Sequence, residues 1–263
     1  MLKAIWMSDP HYSHADTVLG HDPRIRLEKA VTHINAHHAG ASFCVVSGDM
    51  VNRGTQDDYK ALSTQFEKLS IPLLPMVGNH DDRALLRKHF ALPPTCMDNF
   101  VQFTRATPNE VMICLDTQKP GSDAGELCAQ RLSWLKAELE NAQDKPVFIF
   151  MHHPPMRLGL PMQDTEGLTD GDVFLDLISS FTCVKYVFIG HVHRPITGTV
   201  RGIPFATMRS ILYQAPAPRP AWDWDTFKPS EEAPNIGVLT ISGSDVNLQY
   251  EQFCQFEDGV EPA

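Results

Sequence analysis

The feature that most constrains this chain is a set of six short apolar runs that are continuous, not alternating: Ala4–Met7, Phe43–Ser47, Leu73–Val77, Val111–Leu115, Val147–Met151 and Tyr186–Ile189. Runs of this length are strands, and continuous apolarity means that both faces of most of them are covered. Stripes at helical spacing lie between them: Leu27, Ala30, Val31 and Ile34; Tyr59, Leu62, Phe66 and Leu69; Leu132, Leu135 and Leu139. Strand–helix alternation implies an α/β layered domain, and 263 residues with 43% apolar content suffice for one core. The last third differs, with strand-like pieces at Ile203–Met208, Ile236–Ile241 and Val246–Tyr250 around a proline-rich stretch, Gln214–Pro234. The expectation is one domain over 1–263, with a C-terminal excursion from about 212 serving as a cap or dimer contact.

Five of the six runs stop at a cluster of acidic, amide or imidazole side chains, three of the clusters opening with glycine. These are Asp9-Pro10-His11, Gly48-Asp49-Met50-Val51-Asn52-Arg53-Gly54, Gly78-Asn79-His80-Asp81, His152-His153-Pro154-Pro155 and Gly190-His191-Val192-His193. Ligands of open α/β sheets bind outside the carboxyl ends of the strands, so clusters far apart in sequence are expected to converge there. Carboxylates, one amide oxygen and imidazoles, without thiolate, suit hard-to-borderline divalent cations. A carboxylate between two such cations offsets their repulsion, and a pair of cations can polarise a phosphate and activate water.

The five motifs in this order, spread over residues 9–193, resemble the calcineurin-like metallophosphoesterase superfamily. Chain size, the His-His-Pro-Pro cluster and the Gly159–Leu168 segment place the resemblance nearest to the class III cyclic nucleotide phosphodiesterases and bacterial glycerophosphodiesterases. It implies an α/β fold in which a β-sandwich flanked by helices, instead of a single open sheet, carries a metal site at the strand C-terminal ends. It further implies two divalent ions (Mn, Fe, Zn or Co). Asp9, His11 and His193 would hold the first, Asn79, His152 and His191 the second, and Asp49 would bridge them. The expected reaction is hydrolysis of a small phosphodiester, a cyclic nucleotide or a glycerophosphodiester, by hydroxide held between the ions. Asn79 and His80 are the expected catalytic and substrate-binding pair: the Asn79 amide NH2 on a phosphate oxygen, and His80 beside the departing alkoxide. A phosphomonoesterase and a non-catalytic scaffold are the alternatives. Many members carry aspartate where Asn52 stands, a side chain that orients a ligand histidine, so Asn52 is expected to soften metal affinity.

The charge balance, 22 − 32 = −10, argues against a nucleic-acid polymer as partner. No run reaches membrane-spanning length and the N-terminus lacks a signal-peptide core. Six cysteines without a CxxC pair are expected to be reduced thiols in the cytoplasm. His153 is expected to support a ligand, and Asp81 to cap the helix 82–90 or brace His80. Tyr12 and His14 are read as lining the substrate mouth or a solvated loop. His21, His33, His37, His38 and His89, with Arg157 and Arg209, are read as surface residues, and Asp116-Thr117 as fixing a turn. Trp222 and Trp224 are expected in packing or subunit contacts, with Tyr213 near a substrate lid.

Overall fold

The structure, a computed structural model, describes residues 1–142, 145–219 and 223–260. Its strands are β1 (Leu2–Met7), β2 (Cys44–Val46), β3 (Leu73–Pro75), β4 (Phe103–Ala106), β5 (Val111–Cys114), β6 (Val147–Met151), β7 (Val184–Ile189), β8 (Thr197–Val200), β9 (Ile203–Thr207), β10 (Asn235–Ser242) and β11 (Asp245–Gln252). Its helices are α1 (Pro23–His37), α2 (Gln56–Phe66), α3 (Arg83–His89), α4 (Ala129–Ala142) and α5 (Gly171–Ser179). One sheet runs β11-β10-β1-β2-β3 and the other β4-β5-β6-β7-β9-β8.

The two sheets pack face to face, with Trp6 of β1 set edge-on against Phe188 at 5.2 Å and Phe150 at 6.2 Å. Alternate residues of β5, β6 and β7 serve two cores. Met112, Cys114, Phe148, Phe150 and Phe188 meet the first sheet, which α1 and α2 cover on its far side. Val111, Ile113, Val147, Ile149, Met151, Val187 and Ile189 meet α4 and α5. That double burial is why these runs read as continuously apolar. The resemblance's sandwich, not the single sheet, is therefore the architecture.

Strands β1, β2 and β3 of the first sheet are parallel to one another, as are β5, β6, β7 and β9 of the second. The carboxyl ends of β1, β2, β3, β6 and β7 therefore open onto one edge of the sandwich. Backbone bonds lash the loops there: Asp9 N donates to Gly48 O (3.2 Å), His11 N to Asp49 O (2.9 Å) and Gly190 N to Met151 O (3.1 Å). The N-caps are Asp22 for α1, Thr55 for α2 and Asp82 for α3. Sequence reading missed β4 and β8, whose exposed residues break the apolar signal, and it missed α5. All six cysteines are free thiols, and no helix among the described residues is long and apolar enough to cross a membrane.

Candidate metal centre

Each of the seven residues expected to ligate metal lies at this edge. His11 Nε2 stands 3.1 Å from His193 Nε2 and 3.6 Å from Asp49 Oδ2. Asp9 Oδ1 lies 3.4 Å from His193 Nε2. His152 Nε2 is 3.3 Å from Asp49 Oδ2, 3.2 Å from Asn79 Oδ1 and 3.3 Å from His191 Nδ1. Asp49 is thus common to two groups, one with Asp9, His11 and His193, the other with Asn79, His152 and His191. Donors about 2.1 Å from one cation stand ~3.0–3.4 Å apart at octahedral to tetrahedral angles. Most of these spacings fall in that range, including the two close nitrogen–nitrogen approaches. The donor set and its spacing fit divalent cations.

The ring tautomers point the same way. His152 Nδ1 donates to Ser47 O (2.8 Å) and His193 Nδ1 to Tyr213 O (3.0 Å), which leaves Nε2 of each ring facing the cluster as the atom that would ligate a cation. His191 N donates to both Asp9 carboxylate oxygens (3.2 Å each), and Ser8 Oγ donates to Asp9 Oδ2. Asp9 (φ 54°), His11 (φ 41°), Asp49 (φ 48°), His191 (φ 70°) and His193 (φ 50°) all occupy the left-handed region. That conformation costs non-glycine residues about 1–2 kcal/mol each. Strain gathered at one cluster marks a functional constraint.

Two carboxylates, Asp9 and Asp49, are buried here beside four imidazoles. Burial pulls the pKa of His11 and of His191 down to about 3. For His152, burial is outweighed by Asp49 and Asp9, and the pKa rises to about 9. Burial opposes a charge on His80 too, yet Asp49 and the Asn52 carbonyl carry its pKa upward. His80 Nδ1 donates to Asn52 O (2.8 Å), and its backbone N donates to Asp49 Oδ1 (3.0 Å).

Several expectations change. Asp81 does not cap α3; Asp82 does, accepting from Leu85 N (2.8 Å). Asp81 instead ties two loops together, accepting from Met50 N (3.1 Å), Gly78 N (2.8 Å) and Tyr59 Oη (2.8 Å). Asn52 contributes its carbonyl, and no side-chain bond of Asn52 orients a histidine among the described residues. The Asn79 NH2 is not free but donates to Asp123 Oδ1 (3.4 Å).

His153 is buried as expected of a supporting residue, with Nδ1 on Thr117 Oγ1 (2.7 Å) and Nε2 on Asp123 O (3.1 Å). Asp116 accepts from Gln118 N in its turn and also pairs with Arg83 (2.6 Å). Tyr12 is a core residue and His14 bonds Asp58, so neither lines the mouth. His21 and His38 are buried, His38 sharing Glu251 with His33. Arg209 pairs with Glu232.

Above the cluster lies a cavity of about 420 Å³. His11, Asp49, Asn79, His80, His191 and His193 form its floor, and Leu19, Asp123, Gln163, Glu166, Tyr213, Trp224 and Phe227 its walls. Tyr213 lies over His11 (5.5 Å between rings) and His193 (4.4 Å), which places it at the site. Trp224 is a cavity wall, half-exposed, with Nε1 donating to Glu166 Oε1 (2.9 Å). Trp222 lies outside the described residues. No spacing rule reveals Asp123, Gln163, Glu166 or Phe227, because they come from loops that meet only after folding.

The family profile described as calcineurin-like phosphoesterase matches residues 2–195. The chain belongs to that family. Among relatives of this phosphoesterase, a probable cyclic nucleotide phosphodiesterase of Rhodopseudomonas palustris is 35% identical, over 81% of the chain and 79% of the relative. A glycerophosphodiester phosphodiesterase of Enterobacter lignolyticus is 31% identical, over 71% of the chain and 68% of the relative. Among solved structures, a dimetal phosphatase from Danio rerio superposes with a TM-score of 0.71 over 97% of each chain at 14% identity, a likeness of fold alone.

Proposed function

We propose that this phosphoesterase hydrolyses small phosphodiesters at a centre of two divalent cations, with Asp9, His11 and His193 holding one, Asn79, His152 and His191 the other, and Asp49 shared. The observation that carries the reading is Asp49 Oδ2 lying between two donor groups, 3.6 Å from His11 Nε2 and 3.3 Å from His152 Nε2. When bound, the ions supply charge neutralisation of the phosphate and activation of water for in-line attack.

The chain's own residues orient and protonate. His80 reaches the cavity floor with Nδ1 fixed on Asn52 O, which leaves Nε2 to donate a proton to the departing alkoxide. Asp123 orients the Asn79 amide so that its oxygen faces His152. Tyr213 holds the tautomer of His193 through its carbonyl and covers the floor with its ring. Tyr213, Trp224 and Phe227 cap the floor, since all three wall the cavity.

A diester is favoured over a monoester by the lining. No lysine or arginine among the described residues faces the cavity, while Asp123 and Glu166 do. The second negative charge of a monoester would meet carboxylates there. The relatives named as phosphodiesterases support the same reading. The test is turnover of bis(p-nitrophenyl) phosphate against p-nitrophenyl phosphate on protein of measured metal content. Faster monoester cleavage makes the chain a phosphomonoesterase; two metals per chain with no turnover of any diester makes it a scaffold.

A further inference from the structure

Three histidines take no part in the strand-end cluster and crowd the last turn of α1: His33, His37 and the C-cap residue His38. Glu251 of β11 reaches across to them. Its Oε1 lies 2.5 Å from His33 Nε2 and 2.9 Å from His38 Nε2, and the three donor atoms stand within 4.8 Å of one another. His37 is exposed beside this group, its ring centroid 4.7 Å from that of His33 and 6.4 Å from that of His38. α1 ends where the chain enters β2, whereas Asp49 follows the exit of β2, and the two groups share no residue.

The chemistry of the group is that of a cation site. One carboxylate oxygen faces two imidazole nitrogens, and the carboxylate makes no further side-chain hydrogen bond among the described residues. His38 Nδ1 is buried without a hydrogen-bond partner, so nothing but Glu251 engages that ring by hydrogen bonding. A divalent ion would replace the two ring protons that now point at Glu251, leaving two neutral imidazoles and a carboxylate as ligands. Such a set, without thiolate, suits zinc and its neighbours. His33 and His37 sit at i and i+4 on one helix face, the spacing at which two helical imidazoles chelate one ion. The C-terminal end of a helix also carries partial negative charge, which favours a cation there.

The seat opens with a small side-chain movement. Donors about 2.1 Å from one ion stand at least ~3.0 Å apart. Glu251 Oε1 must therefore withdraw from His33 by 3.0 − 2.5 = 0.5 Å and from His38 by 3.0 − 2.9 = 0.1 Å. The Glu251 side chain is 36% exposed on an edge strand, so rotation about its own bonds supplies this without moving the sheet.

We propose that His33, His38 and Glu251 bind a divalent ion of the zinc class, apart from the strand-end centre, with His37 bordering its open side. The ion clips the end of α1 to the edge strand β11. This goes beyond the phosphodiesterase reading and does not depend on it.

The test measures zinc per chain, at free zinc held by a chelator buffer, in the unaltered protein and in a His33→Gln/His38→Gln variant. The variant should hold one zinc fewer, whatever number binds at the strand ends. At free zinc about 100 times the site's dissociation constant, the clip should raise Tm by roughly 5–10 °C more in the unaltered protein than in the variant. Circular dichroism checks that the variant is folded. Labelling of the unaltered protein with diethyl pyrocarbonate needs no variant: zinc should slow modification of His33 and His38 but not of His14, which bonds Asp58 and belongs to neither group. Equal zinc content in the two proteins overturns the proposal, as does labelling of His33 that zinc leaves unchanged. Turnover of bis(p-nitrophenyl) phosphate reports the strand-end centre separately and should be the same in both proteins. If no diester is cleaved, the zinc difference and the labelling still decide the α1 site.

Discussion

Replacing Gly78 by alanine probes how closely the strand-end loops must approach. A Cβ at position 78 would stand 2.6 Å from Asp49 N and 2.7 Å from His152 Cε1, and would overlap Asp49 Oδ1. Ordinary contact begins near 3.4 Å, so the loops after β2 and β6 must part from that after β3 by 3.4 − 2.6 = 0.8 Å and 3.4 − 2.7 = 0.7 Å. Neither neighbour yields easily. Asp49 N is backbone, and the His152 ring is pinned by Ser47 O at 2.8 Å. Overpacking of this kind costs about 1–3 kcal/mol, which at this chain length lowers Tm by roughly 2–4 °C per kcal/mol. The functional loss is larger, because a misplacement of about 1 Å at a reacting centre costs on the order of 100-fold. The assay measures metal per chain, Tm and kcat/KM for an aryl diester, with Gly40→Ala as control, where nothing lies within 4 Å of the added carbon. Gly78→Ala should lose at least one equivalent of metal or about 100-fold in kcat/KM. Full metal content with unchanged turnover would refute the claim that these three loops close on a shared centre.

His80→Ala should keep both metals yet lose about 10²–10⁴-fold in turnover of an ester with a poor leaving group, with a smaller loss for p-nitrophenol; equal losses for both leaving groups contradict the proton-donor role. Asp81→Ala strands Met50 N, Gly78 N and Tyr59 Oη and should cost at least about 2 kcal/mol in urea unfolding, although the residue touches no substrate. Asn52→Asp should leave metal content within about twofold, because the Asn52 carbonyl, not its side chain, holds His80; a large gain in affinity would show that the side chain matters. Burial and the nearby Arg26 lower the pKa of His21 to about 4 against 6.5 unfolded. The unfolded chain therefore binds more protons between these values, and this contribution to stability is whole above pH 6.5 and falls away down to about pH 4. Unfolding of His21→Gln measured against pH should show a flatter acid limb than the unaltered protein.

The sequence alone determined the candidate ligand set and the strands that carry it. Continuous apolar runs marked β1, β2, β3, β5, β6 and β7, and each polar cluster follows its strand within a few residues, so local spacing sufficed to place Asp9, Asp49, Asn79, His152 and His191 at strand ends. The motif order also supplied the sandwich, which apolar patterning could not, since a strand buried on both faces reads alike in one sheet or two. Tertiary structure decided the rest. Asp81 was legible as a polar residue next to a helix, but its partners at positions 50 and 59 lie across loops that sequence proximity does not link. His21 and His38 look like surface histidines because nothing local shows Tyr213, Phe256 or Glu251 closing over them. Trp224 and Glu166 are 58 residues apart and meet by one hydrogen bond. Ligand chemistry is written in short motifs because each loop must hold its own donor atoms. Substrate choice is written between loops, and only the packed sheets bring those loops together.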